Sequence, residues 1–145
     1  MTTPHDPDEL EVLDEEECWA LVSSRFLGRL GVNRDGMGPL VVPINYAVDV
    51  DRSIVFRTGE GAKLDAVDRG MISIQVDEVD PLHHVGWSVL VDGLAHWVYD
   101  PRDDDTPVAT WAPGEHPYVV RLHPHLITGR RIRLTGPDTD SRGYR

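Results

Sequence analysis

The sequence predicts a mainly β protein: a small antiparallel barrel of about six strands with short helices at its ends. Three observations predict it. Short segments that alternate apolar and polar residues recur along the chain, turns rich in glycine, proline and aspartate separate them, and the helical patterns are brief. The longest alternating segment, 86–99, carries Trp87, Val89, Val91, Gly93, Ala95, Trp97 and Tyr99 on one face. Its other face carries Ser88, Leu90, Asp92, Leu94, His96 and Val98. Both faces are largely apolar, so both need cover. In a small protein one face can pack inside a barrel and the other against a second subunit.

Composition bounds the function. A chain of 145 residues, 40% hydrophobic and 27% charged, suits one globular domain. Its 25 acids against 14 Lys and Arg leave a net charge of -11, which argues against a general nucleic-acid binder. A small anion in a local basic pocket remains compatible with that charge. Cys18 is the only cysteine, so neither an intrachain disulfide nor a thiolate metal cluster is expected. With no apolar run of membrane length and no basic-then-apolar leader, the expected location is the cytoplasm, with no membrane partner.

In chain order, residues 1–11 hold Pro4, Pro7 and many acids and read as a flexible acidic arm. The domain proper is expected over 12–134, followed by a tail over 135–145. A helix over 13–23 starts on Asp14 as cap, with Glu17 three residues on and Leu13 stapling towards Cys18. Strands follow over 25–32 and 40–48. Pro43 interrupts the second of these, which implies an edge, a bulge or a backbone that faces something other than a strand. A hairpin through Asp49 to Arg52 leads to a strand over 53–57. A second helix is expected over 62–69, then strands over 71–77 and 86–99, a polar connection with a helical turn near 108–111, and strands over 118–122 and 128–134. His123-Pro124-His125 should separate the last two.

The stretch Ile54 to Leu64 carries the chemistry. A strand ends in Arg57 and Thr58, a glycine-flanked turn follows, and Lys63 opens the next helix. Backbone N–H groups at such a turn, with cationic side chains beside them, hold phosphate. A solvated surface turn bearing one Arg and one Lys fits the same residues, and the spacing is not that of a P-loop. The histidines His83, His84, His123 and His125 show no recognisable metal-ligand spacing, so no metal site is expected.

Helix 13–23, Gly28-Arg29-Leu30, Val42 to Tyr46, Phe56-Arg57-Thr58 with Lys63, Gly86-Trp87-Ser88-Val89 and Thr128 to Arg131 stand in an order that resembles the pyridoxamine 5'-phosphate oxidase-like flavoproteins. These are also called FMN-binding split-barrel proteins, and the likeness is to actinobacterial-type members over about residues 12–134. The resemblance implies a six-stranded antiparallel split barrel, a homodimer and FMN sites at the subunit interface. It would put Arg57, Thr58 and Lys63 near the FMN phosphate and Pro43, Ile44, Asn45 and Tyr46 along the isoalloxazine ring. Trp87 and Ser88 would lie near the cofactor or the interface. The implied activity is flavin-dependent hydride transfer to or from a small organic substrate. An F420-dependent reductase, or a flavin- or haem-binding protein without catalysis, is the alternative on the same fold.

Overall fold

Side chains leave a strand on alternate sides, and in this chain the inward set closes on itself. The computed structural model describes residues 10–59, 70–98, 108, 110, 114 and 118–132. Its elements are β1 (Leu10–Leu13), α1 (Glu15–Ser23), β2 (Leu27–Val32), β3 (Leu40–Val48), β4 (Ile54–Thr58), β5 (Met71–Asp80), β6 (Val85–Val98) and β7 (Tyr118–Ile132). The strands lie in the order β1-β7-β4-β3-β2-β5-β6, and β6 returns to pair with β7. Every pairing is antiparallel, so β2 to β7 form a closed six-stranded barrel and β1 adds to its rim. Leu30, Ile44, Tyr46, Ile54, Phe56, Ile74, Val76, Val89, Val91, Val120 and Leu122 fill the interior. Closure leaves little free edge for unwanted pairing.

Two expectations change. The last two expected strands are one, because β7 runs for 15 residues straight through His123-Pro124-His125. A bulge absorbs the proline: pairing with β6 passes from Asp92↔Leu126 to Gly93↔Pro124 and leaves His125 as the extra residue. Gly93 permits this approach, since a Cβ there would sit 2.2 Å from the His123 carbonyl oxygen. Within the expected arm over 1–11, Leu10 and Glu11 belong to β1 and pair with Ile132 and Arg131. Residues 1–9, the expected helix over 62–69 with Lys63, most of the connection before β7 and the tail from 133 onward lie outside the described residues.

Helix α1 starts where expected. The Asp14 carboxylate accepts a 2.8 Å hydrogen bond from the Glu17 backbone N–H, and Glu15 to Glu17 sit in the first turn, where the helix dipole favours acids. Glu17 does not close a reciprocal box; its side chain reaches Arg131 at 3.4 Å. Cys18, Trp19 and Val22 are buried on the barrel core. Gly129 lets the helix seat directly on β7, since a Cβ there would lie 2.6 Å from the Cys18 Sγ. Asp14→Ala should cost about 1 kcal/mol of stability in urea unfolding. No change in the midpoint would mean that the cap is not needed to hold α1 on the barrel. Among the described residues, no helix is long and apolar enough to cross a membrane.

Candidate functional site

The barrel exterior is not uniformly polar. On the face shared by β3, β2, β5, β6 and β7, the outward positions run in cross-strand rows. One row is Pro43, Arg29, Gln75, Leu90 and Thr128; a parallel row includes Asn45 beside Leu27, and Asp77 beside Ser88 and Arg130. Leu27, Val41, Leu90 and Leu94 are all exposed on this face, with Leu94 58% accessible. The opposite sides of the same strands carry the core. Val89 and Val91 are fully buried while Leu90 between them is exposed, so the doubly apolar strand has one face covered within this chain.

Register sorts the sequence-derived site residues. Pro43 and Asn45 point outward, whereas Ile44 and Tyr46 point inward and are 6% and 3% exposed. The Tyr46 hydroxyl donates a 2.6 Å hydrogen bond to the Val22 carbonyl, and burial pushes its phenol well above the ordinary value. Towards a group on the outer face, Ile44 and Tyr46 therefore offer main chain only. The Tyr46 N–H donates to the Phe26 carbonyl across β2–β3. By the alternation of antiparallel bonding, the backbone of Pro43 then faces away from β2. Among the described residues, pairing with β4 covers only 46–48 on that side, so the proline's missing donor falls where no described strand pairs with it.

Arg57 and Thr58 end β4. Arg57 lies one residue past the last β3–β4 pairing, Tyr46↔Phe56, and alternation with the buried Phe56 and Thr58 puts its side chain on the outer side. Thr58 is 1% exposed and its hydroxyl donates to the Gly59 carbonyl at 3.2 Å. Arg57 is half-buried, and its side chain has no hydrogen-bond or ion-pair partner among the described residues. That is unusual in so acidic a chain. Arg25, Arg29, Arg52, Arg121 and Arg131 all pair with carboxylates, and Arg34 donates to the Gly38 carbonyl. Arg57 and Arg130 stand apart from them. The two are distant from each other: β7 meets Arg57 at Val119 and carries Arg130 near its other end.

Trp87 and Ser88 leave β6 on opposite sides. Trp87 lies on the inward side at the barrel mouth, with the Arg25 guanidinium 5.6 Å from its ring centroid. Arg25 is held in turn by Glu78, whose Oε2 accepts from the Arg25 Nε at 2.6 Å. These residues and Arg131 line a cleft of about 500 Å³. Ser88 faces outward and borders a second cleft of about 240 Å³ with Asp77, Arg130 and Ile132. Only Ser88 of the pair thus shares a face with Pro43 and Asn45.

The same face holds a polar network that sequence reading missed. Arg29 Nη1 donates to the Asp77 carboxylate at 2.9 Å and to the Gln75 side-chain oxygen at 3.2 Å, and the Gln75 amide donates to the Ser88 hydroxyl at 3.1 Å. Burial works against the charge on Asp77. Hydrogen bonds from Arg29 and Gln75, with the Arg29 charge, outweigh it and hold the carboxyl below its ordinary value. Alternation along 26–32 already places Arg29 outward. Nothing local ties it to an aspartate 48 residues away. Elsewhere, His96 and His123 stack with ring centroids 4.9 Å apart, and among the described residues no three His, Cys, Asp or Glu side chains converge as a metal site.

Comparison with known proteins places this geometry. A family model described as pyridoxamine 5'-phosphate oxidase matches residues 14–131. The chain is 32% identical over 143 residues to the uncharacterized protein Rv0080 of Mycobacterium tuberculosis, covering 90% of each. Among solved structures it resembles a Corynebacterium glutamicum protein named as a candidate pyridoxamine 5'-phosphate oxidase, at 30% identity and TM-score 0.73, over 89% of this chain and 97% of that one. It also resembles an FAD binding protein from Mycobacterium smegmatis, at 34% identity and TM-score 0.65, over 86% of this chain and 99% of that one.

Proposed function

The chain belongs to the pyridoxamine 5'-phosphate oxidase family, and on that premise we propose that it binds FMN on the outer barrel face and transfers a hydride between that flavin and a small organic substrate. The half-buried Arg57, left without a carboxylate partner among the described residues, carries this reading. An arginine held partly out of water and unpaired in an acidic chain is suited to a dianion, and its planar fork matches phosphate oxygens. Lys63 and the main chain at Thr58 complete the phosphate grip, the Thr58 side chain being buried on the inner side. Pro43 and Asn45, with the main chain of Ile44 and Tyr46, lie along the ring, and Ser88 approaches it from β6. The flavin supplies the hydride chemistry when bound; the chain binds it, orients it and limits water.

A second copy of the chain completes the site. Leu27, Val41, Leu90 and Leu94 form an exposed apolar surface beside the polar network, and burying it against a twin removes that area from water. Trp87 then serves the rim of the interface from the barrel mouth. Arg57 and Arg130 stand at opposite ends of β7 within one chain, so an F420 reading would need the second copy to supply a cationic group for the longer anionic tail.

The test is the visible spectrum of the purified protein, mass spectrometry of the released ligand and the mass in solution. A flavin spectrum, FMN in the released fraction and a dimer mass are expected. Recovery of F420 or haem would overturn the cofactor, recovery of FAD would replace FMN with the longer flavin, and a monomer mass would remove the second copy. A tight FMN complex that neither NADH, NADPH nor dithionite reduces would make the protein a carrier.

A further inference from the structure

The Arg29–Asp77–Gln75–Ser88 network lies on the same face as Pro43 and Asn45, in a place where nothing about stability requires it. Both members of its ion pair are partly exposed, with side-chain exposures of 54% for Arg29 and 34% for Asp77, and exposed pairs contribute little to folding. Yet four polar groups on three strands are tied together by the hydrogen bonds of 2.9, 3.2 and 3.1 Å already described. They are set in a face that also carries the exposed Leu27, Val41, Leu90 and Leu94.

Position gives the network its use. Arg29 and Pro43 are direct cross-strand partners on β2–β3. They occupy a non-hydrogen-bonded pair, in which facing Cα atoms are about 4.5 Å apart and side chains are closest. A tricyclic ring resting on Pro43 and Asn45 is wider than one strand spacing of about 4.8 Å. It therefore reaches over β2, where Arg29 and Leu27 are the outward side chains. A flavin gains electrons on reduction, so positive charge fixed against its ring favours the reduced form and negative charge favours the oxidised form. Covering the face removes solvent screening and enlarges both effects.

Resting on the flavin reading above, we propose that Arg29 and Asp77 are positioning residues of opposite charge that set the reduction potential of the bound flavin, with Gln75 and Ser88 fixing their geometry. Arg29 favours the reduced cofactor and Asp77 offsets it, so the wild-type pair holds the potential between two extremes.

The experiment measures the midpoint potential of FMN loaded into the wild type and into Arg29→Gln, Arg29→Lys, Asp77→Asn and the double variant Arg29→Gln/Asp77→Asn, with a reference dye under anaerobic conditions. Arg29→Gln should weaken binding of reduced relative to oxidised FMN by tenfold or more, a shift of about 30 mV to lower potential for a two-electron couple. Asp77→Asn should shift it upward by a similar amount. Arg29→Lys should stay near wild type because the charge remains, and the double variant should return towards wild type because both charges are gone. A merely structural role cannot produce opposite signs. Unmoved potentials, or shifts of the same sign, in proteins that still bind FMN would overturn this proposal alone. A wild type that takes up no flavin would overturn it together with the proposed function. Should Arg29→Gln fail to fold, Asp77→Asn and Arg29→Lys still carry the sign test.

Discussion

Replacing Arg57 with alanine should weaken FMN binding by about tenfold or more and leave the unfolding midpoint of the apoprotein nearly unchanged. Hydrogen bonds to charged groups contribute about 1.5–3 kcal/mol each, and each 1.4 kcal/mol is about tenfold in affinity. Arg57 has no partner to abandon among the described residues, so its removal strands no carboxylate and costs little in folding. Titration of apoprotein with FMN by flavin fluorescence or calorimetry reads the loss. Riboflavin provides the control: lacking the phosphate, it should bind wild type and Arg57→Ala with equal affinity. If Arg57→Ala and Lys63→Ala both bind FMN as the wild type does, the phosphate is held elsewhere.

Phe56→Ala, one residue away, should do the reverse. Phe56 is fully buried, with Tyr46 and Val120 as its cross-strand neighbours. Deleting a buried phenyl ring removes its transfer free energy and leaves a cavity, together about 3–5 kcal/mol. Typical domains are stable by about 5–15 kcal/mol, so the variant should unfold at markedly lower urea with an unchanged slope. A loss below about 1 kcal/mol would show that the interior collapses around the gap and that Phe56 does not organise the core. Adjacent residues with opposite readouts follow from a strand that sends Phe56 into the barrel and Arg57 out of it.

Much of the fold was legible because it rests on local rules. The Asp14 cap, the alternation of β2, β5 and β6, and the hairpin between β3 and β4 all depend on neighbours within a few residues. In the hairpin, the Arg52 N–H donates to the Asp49 carbonyl at 2.9 Å with Arg52 at φ 66. The failures are non-local. Pro124 reads as a strand breaker, and only Gly93 on the facing strand turns it into a bulge inside a continuous β7. Leu10 and Glu11 sit in an acidic, proline-bearing segment that reads as an arm, and only β7 makes them a strand.

The site divides along the same line. Sequence by itself determined which side of each strand a residue takes, because Cβ direction alternates with period 2 whatever the strand pairs with. It therefore separated Trp87 from Ser88 and placed Arg29 outward, and family likeness singled out Arg57. Tertiary structure alone decided which outward residues meet. The closing of six strands into a ring brings β2 between β3 and β5, so Arg29 stands beside Pro43 and is bonded to Asp77, and it leaves Arg57 without a carboxylate among the described residues. Strand order depends on burying all the inward faces at once, a property of the whole chain that no short window of residues contains.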